Sequence, residues 1–474
     1  MKSRLLISIM LAAAAFASCS VVEVEPEPED LPEIGKKEKP SKSYEEGSKY
    51  GITYIYDDAV IPQIHLSVSS QQWNALLKLY DANHKTRQYI HCDATYVKGD
   101  ETTVIKDAGL RLKGNTSRRH PGSKGSYHHV HFGLNFREFT NDDAHEVHGA
   151  GKINLKWFNN DPTYVREVYC YDLFRRDTVW TAVHAAYCRL FLKVEGDAKE
   201  TYLGIYQMQE PIDRHYLKER QKAFEGASGN LWKCRYGATL AATDDKLFGL
   251  DTGTDQEWVY ECKTEENDFN GAKAQFKDFI SKAKNKTGKD FHDWFASHCD
   301  VPLLLRTYAV NVACGMWDDY WNNCNNYYVY FNSTDVSNYK FYFIPYDYDN
   351  TLGTCSECGV QKDAAKQDPL NWGSDNNYLI KKILGYDDWR ELYKKYLLQL
   401  ASDKGNLLDK DASAARIAAW QEKIRKFVPN DTGEDMAIED RPASWGNHKE
   451  YRLLENSSSN YFKVKIESIL KYCK

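Results

Sequence analysis

Two short stretches concentrate the side chains that could do chemistry. The first is Met316-Trp317-Asp318-Asp319-Tyr320-Trp321-Asn322-Asn323-Cys324-Asn325-Asn326, which runs into the strand-like Tyr327–Phe331. The second follows the strand-like Phe341–Pro345 and reads Tyr346-Asp347-Tyr348-Asp349-Asn350-Thr351-Leu352-Gly353. If the two strands pair as a hairpin, Asp318, Asn326 and Asp347 converge at one end. One amide oxygen and one carboxylate, completed by phosphate and water oxygens, are the hard and partly open ligand set that Mg²⁺ takes. A further carboxylate outside that shell could orient a hydroxyl and accept its proton, which is the division of labour in phosphoryl transfer. Asp349 is a second candidate ligand. Asp319, beside Asp318, leaves the base assignment open by one residue. Asp and Asn also serve turns and caps, and residue types alone do not displace that structural explanation.

Those side chains need a scaffold. Ile64, Leu66 and Val68 alternate with polar neighbours and predict a half-buried strand. Ser69 or Ser70 then caps a helix carrying Trp73, Leu76, Leu77 and Tyr80 at helical spacing. Residues 104–112 and 129–136 read as strands. Asp161-Pro162 predicts a helix start, with Val165, Val168, Tyr169 and Leu173 on the helix. Residues 190–194, 203–207 and 230–234 again read as strands. Beyond Gly271 the pattern turns helical apart from the two strands of the hairpin. Trp389, Leu392, Tyr393, Tyr396, Leu397 and Leu400 mark a late helix, with Asp388 and Glu391 as a capping-box-like start. The layout is α+β, with a β-rich half at about 50–265, a helix-rich half at about 266–474 and a cleft between them.

The N-terminus reads as an address. Lys2 and Arg4 precede an apolar run over residues 5–17, too short to span a bilayer. Phe16-Ala17-Ser18-Cys19 resembles a lipobox, so residues 1–18 are expected to be a signal peptide and Cys19 the lipidated first residue of the mature protein. Residues 19–49 are rich in Pro, Glu and Lys and read as an acidic tether. An acidic stretch behind a lipidated Cys resembles the export signal of Bacteroidetes surface lipoproteins. That implies an outer-membrane lipoprotein, at the cell surface or the periplasmic face.

Composition excludes other classes. The chain has 474 residues and a formal net charge of −6, with both signs mixed along it. No basic stripe marks a nucleic-acid binder, and no mature segment has 18 apolar residues in a row. Aromatic residues reach 14%, including 33 Tyr and 12 Trp, which suits saccharide or protein contacts as well as core filling. Cys355-Ser-Glu-Cys358 has zinc-like local spacing but lacks a second pair. His129 and His131 share a strand face but lack a third ligand.

The chemical stretches resemble the signature of the spore-coat-protein-H-like (CotH) kinase family. They match as Asp318-Asp319-Tyr320, Asn326-Tyr327-Tyr328-Val329-Tyr330, and Pro345-Tyr346-Asp347-Tyr348-Asp349 with Gly353. Three further family blocks occur in order: Arg111-Leu112-Lys113-Gly114-Asn115-Thr116-Ser117, Gly204-Ile205-Tyr206 through Glu210-Pro211-Ile212-Asp213, and Gly229-Asn230-Leu231-Trp232-Lys233. The resemblance covers roughly residues 50–400. It implies an atypical protein-kinase-like two-lobed fold and ATP-dependent, Mg²⁺-assisted (or Mn²⁺-assisted) phosphorylation of a protein on Ser. On that resemblance, Asp318 is the hydroxyl-orienting base and Asn326 and Asp347 hold the metal, with Asp349 a second candidate ligand. Lys233 neutralises nucleotide phosphates and pairs with Glu210, and Arg111 and Asn115 contact the nucleotide from a basic loop. Tyr346 stands in place of the usual Trp, and Asn325 where His often stands. No Gly-x-Gly-x-x-Gly or Walker loop exists. Two other readings stay open. One is a non-catalytic surface protein using the same fold. The other is a hydrolase using Asp347 and Asp349 as paired carboxylates, which nothing else supports.

Overall fold

The computed structural model describes residues 52–140, 145–264, 267–354, 363–374, 378–443 and 451–474, all within one compact unit spanning residues 39–474. Cys19, the tether to residue 49, and Cys355 and Cys358 lie outside the described residues.

The first half is built mainly of strands. In order it holds α1 (Ile52–Ile55), β1 (Gln63–Val68), α2 (Ser70–Ala82), β2 (Ile90–Lys98), β3 (Glu101–Leu112), the small hairpin β4 (Gly122–Ser123) and β5 (Ser126–Tyr127), β6 (Phe132–Asn135), β7 (Lys152–Lys156), α3 (Arg166–Arg176), β8 (Ala185–Val194), β9 (Thr201–Gln209), α4 (Arg214–Glu219), β10 (Asn230–Cys234), β11 (Phe248–Leu250) and β12 (Tyr260–Cys262). The second half holds α5 (Phe269–Asn285), α6 (Gly288–His298), α7 (Val301–Cys314), α8 (Tyr320–Asn323), β13 (Tyr327–Phe331), β14 (Phe341–Pro345), α9 (Tyr378–Ile383), α10 (Asp387–Ser402), α11 (Lys410–Arg425) and α12 (Tyr461–Cys473). The α+β layout read from the sequence is the observed one.

Among the described residues, seven strands close into a barrel in the order β1-β2-β3-β6-β7-β9-β8. Within the barrel β1 and β8 pair in parallel and the other described neighbours antiparallel. Alternation makes the barrel's core: Ile64, Leu66, Leu110, Leu112, Leu134, Leu155, Leu190 and Met208 are all buried together. Helix α2 follows β1 as its spacing requires. Ser69 caps it by accepting from Gln72 N at 3.2 Å, and Trp73, Leu76 and Tyr80 are buried while Leu77 is half-buried.

A second sheet runs in the order β11-β12-β10-β13-β14. It joins strands from both halves of the sequence, so the late hairpin is completed by strands formed about a hundred residues earlier. Helices α5, α6, α7 and α10 share with this sheet a second core containing Trp232, Phe276, Phe279, Phe331 and Phe341. Among the described residues no helix is long and apolar enough to cross a membrane, and the nine described cysteines are all buried.

Three sequence expectations shift. Helix α3 starts at Arg166, not at Pro162. Asp161 still serves that start, because its carboxylate spans the intervening turn to accept from Thr163 N, Val165 N and Arg166 N at 3.0–3.1 Å. Asp388 does not cap α10: the helix begins at Asp387, and its cap position, Tyr386, makes no side-chain capping bond. Of residues 129–136, only Phe132–Asn135 is strand. The His131 ring accepts from Trp157 N at 3.1 Å, and the His129 ring contacts Leu203 O at 2.7 Å and Asp435 at 3.1 Å.

Gly229 is where the second sheet tolerates no side chain. A Cβ there would stand 1.7 Å from Phe331 O, so Gly229→Ala must push β10 and β13 apart. Gly99 sits in open space with φ +56°, so Gly99→Ala should cost only the left-handed strain of about 1–2 kcal/mol. We expect Gly229→Ala to lower the thermal unfolding midpoint clearly more than Gly99→Ala. Equal shifts would show that β10 and β13 do not approach closely enough at Gly229 to exclude a methyl group.

Candidate active site

The hairpin fixes the geometry. Tyr327 is registered opposite Pro345, so Asn326 before one strand and Asp347 after the other emerge at the same end. Both leave their strands in the left-handed region, Asn326 at φ 51° and Asp347 at φ 64°. Asn and Asp are the residues besides Gly that enter it most readily. Such strain persists only where the surroundings over-determine it.

The adjacent carboxylates divide their duties. Asp319 caps α8, accepting from Trp321 N at 3.0 Å and Asn322 N at 3.3 Å, and it is buried away from the cleft. Asp318 is the residue that lines the cleft. Its Oδ1 accepts from the amides of Asn323 at 2.6 Å and Asn325 at 3.2 Å, and its Oδ2 from Asn326 at 3.1 Å. Burial pushes the Asp318 carboxyl up to about 6, with the amide bonds opposing and the Asp347 charge assisting.

Behind Asp347 lies a contact the motifs did not reveal. Lys156, the last residue of β7, donates to Asp347 Oδ1 at 2.5 Å and pairs with Glu167 of α3 at 2.6 Å. Burial opposes the Lys156 charge, but the two carboxylates outweigh it and hold the ammonium well above its ordinary value. Burial likewise opposes the Asp347 charge, and Lys156 outweighs it. Glu167 Oε1 accepts from Tyr348 N at 3.2 Å and from Gln209 at 3.1 Å. The Tyr171 hydroxyl accepts from Asp347 N at 2.9 Å. Helix α3 therefore grips the backbone of the Asp347 turn directly and reaches its side chain through Lys156. Asp349 lines the same cleft, and burial together with the Asp347 charge pushes its carboxyl well up.

The cleft has a volume of about 1360 Å³. Lys113, Lys233, Arg111 and Asn115 line it beside Asp318, Asn326, Asp347 and Asp349. Lys233 projects from β10 with its Nζ 5.2 Å from the centre of the Tyr346 ring. Burial, then Arg235, brings it down to about 7. Burial also lowers Lys113, with Arg111 and Lys233 adding to the effect. Arg118 ties the 113–118 loop down by donating to Gly114 O at 3.0 Å and Thr86 O at 2.6 Å.

Glu210 is not brought to this group. It forms a two-pronged pair with Arg220 at 2.7 and 2.8 Å and accepts from His184 N at 3.0 Å. It follows the last residue of β9 and leaves the strand toward α4, so the expected Lys233–Glu210 pair is absent. Lys156, which lines the cleft, instead pairs with Asp347 in the cleft and with the buried Glu167 behind it. No local sequence signal points to this pairing, because it depends on how the closed barrel presents the end of β7 to α3.

The family described as CotH kinase protein matches residues 110–473, most of the chain. The chain belongs to that family. The match begins later than the 50–400 span of the motifs and continues through α10, α11 and α12, so the late helices are part of the CotH domain. No curated protein matches the chain.

The donor set of this CotH chain suits a hard divalent ion. Among the described residues no three His, Cys, Asp or Glu side chains form a closed metal cage. Asn326, Asp347 and Asp349 line the same cleft and carry the amide and carboxylate oxygens such an ion takes. The crowding that raises Asp349 is what a cation between two carboxylates would relieve.

Removing the central ammonium tests the arrangement. Lys156→Met leaves Glu167 and Asp347 buried without their cation and should cost about 3–5 kcal/mol in urea unfolding. Adding Glu167→Gln should recover part of that loss. A double variant no more stable than the single one would show that the two side chains are not coupled.

Proposed function

We propose that this CotH-family chain is an atypical serine protein kinase with a two-lobed kinase-like fold, transferring the γ-phosphoryl group of ATP to a protein hydroxyl. The observation that carries this reading is the meeting of Asp318, Asn326, Asp347 and Asp349 with the Lys113, Lys156 and Lys233 ammonium groups around one cavity. Phosphoryl transfer needs little covalent help from the protein. It needs an aligned hydroxyl and neutralised phosphate charge.

Asp318 faces the cleft with a carboxyl raised toward neutral pH, which suits a group that takes a proton. In the proposed step the acceptor oxygen bonds to the γ-phosphorus and the bond from that phosphorus to the ADP oxygen breaks. The hydroxyl proton passes to an Asp318 carboxylate oxygen. Arg111, Lys113 and Lys233 neutralise the phosphates, and Asn115 donates from the same loop. Lys156 holds Asp347 ionised and aimed. Asn326, Asp347 and Asp349 would hold Mg²⁺ or Mn²⁺, which when bound neutralises charge on the phosphates.

The N-terminal sequence supports placing the kinase on a lipid anchor at Cys19, on an outer membrane of Bacteroidetes type, facing either the surface or the periplasm. Such a compartment keeps no ATP pool, which favours a second reading: a non-catalytic surface protein that uses this cleft to bind a protein or saccharide.

Calorimetry separates the two. The chain without its first 19 residues should bind ATP only with Mg²⁺ or Mn²⁺. Asp347→Asn should weaken that binding roughly tenfold or more, about 1.4 kcal/mol. Asp318→Asn should retain binding and lose phosphoryl transfer by on the order of 10²–10⁴-fold. Absence of metal-dependent nucleotide binding would favour the binding protein, and binding without transfer a pseudokinase. A fully active Asp318→Asn would remove Asp318 as the base.

A further inference from the structure

We infer that Asn323 and Asn325 are positioning residues that fix the Asp318 carboxylate in the orientation phosphoryl transfer requires. The inference rests on the kinase reading above and adds to it two residues outside the matched motif positions.

A carboxylate on two rotatable bonds, half-facing a wide cleft, has no reason to hold one orientation. Here three amides converge on it. Asn323 and Asn325 both donate to Oδ1, and Asn326 donates to Oδ2 and to Asp318 O at 3.0 Å. With both oxygens held, the carboxylate plane is defined. The Asn326 amide oxygen remains available as a ligand, so that residue serves Asp318 with its nitrogen only.

The placement of Asn323 and Asn325 is built into the local chain. Asp319 caps the four-residue α8, of which Asn323 is the last residue. Asn323 N and Asn325 N both donate to Asp319 O, at 2.8 and 3.2 Å. Cys324 between them is left-handed at φ 52°, which turns the chain so that both side chains return to the same carboxylate. Ala238 N, outside this segment, holds the turn by donating to Cys324 O at 3.1 Å. A segment shaped only to connect α8 to β13 would not need two amides aimed back at one acid. Both residues are half-buried, so replacing them does not open the core.

The test uses N323L, N325L, the double variant and N325H, the last keeping an N–H donor. ADP formation is followed with dephosphorylated casein as acceptor, and crystal structures of the wild type and the double variant report the Asp318 carboxylate. In the double variant kcat should fall on the order of 10²-fold while the KM for ATP stays within about twofold, the pattern of a misplaced reacting group with intact nucleotide binding. The carboxylate should rotate away from its position, N325H should retain most of the activity, and in Asp318→Asn the leucine substitutions should add nothing. A double variant with unchanged kcat, or an unmoved carboxylate, would overturn the assignment. If the wild type forms no ADP, the kinase reading is what fails, and the carboxylate position in the two crystal structures still decides the positioning role.

Discussion

The Lys156 ammonium, buried between the Glu167 and Asp347 carboxylates, is the contact on which the rest of the site depends. Its three members come from the barrel, from the helix that follows β7, and from the turn after β14. Each is costly to bury alone, since the penalty for one unpaired ion is several kcal/mol. The trio is tolerable only when all three elements have docked. Glu167 also holds Tyr348 N, and Tyr171, one helical turn further on, holds Asp347 N. Helix α3 thus converts the packing of the barrel into a fixed backbone conformation at the hairpin end. Asp347 can stay left-handed because two neighbouring bonds hold it there.

The charge balance around that contact explains the character of the cleft. Lys156 offsets one of the Glu167 and Asp347 charges, and Asp349 adds a third carboxyl nearby. Facing them are Lys113 and Lys233, which burial pulls toward the neutral form, with Arg111 and Lys233 adding to it at Lys113 and Arg235 at Lys233. Lysines lowered in this way gain from any anion that enters, and crowded carboxylates gain from any cation. A cavity that disfavours its own Lys113, Lys233 and Asp349 charges is what the proposed ligand, phosphate with a divalent ion, would relieve. The same groups spread over the surface would be screened by water and would discriminate little.

What the sequence disclosed follows the range of the interactions. The strands 230–234, 327–331 and 341–345 were legible because alternation and flanking turn residues are local signals. The convergence of Asp318, Asn326 and Asp347 was legible because a hairpin brings its two ends together whatever surrounds it. The Lys156–Glu167 pair was not, because it depends on how a closed barrel presents the end of β7 to α3, and no local pattern encodes that. Glu210 was drawn toward Lys233 by its motif position. The structure gives it Arg220, ten residues on, because the chain turns into α4 directly after β9. Asp318 and Asp319 could not be separated by residue type. A cap is recognised by the backbone N–H groups it receives, and those exist only once α8 has formed.

Asp319 and Asp318 also show how the fold and the site share one segment without interfering. The cap carboxylate is spent inside, on Trp321 N and Asn322 N, and burial keeps it from the cleft. Its neighbour is spent outside, and the helix that Asp319 starts is the helix that delivers Asn323 to Asp318. Four residues of helix cannot sustain themselves in water, so α8 is stable only through this cap and the packing of Tyr320 and Trp321 against Tyr308 and Phe343. The aromatic excess of the chain has its physical role at this point. Rings packed beneath the hairpin hold the backbone that a short helix and two left-handed residues could not hold alone, and the polar groups above them inherit that rigidity.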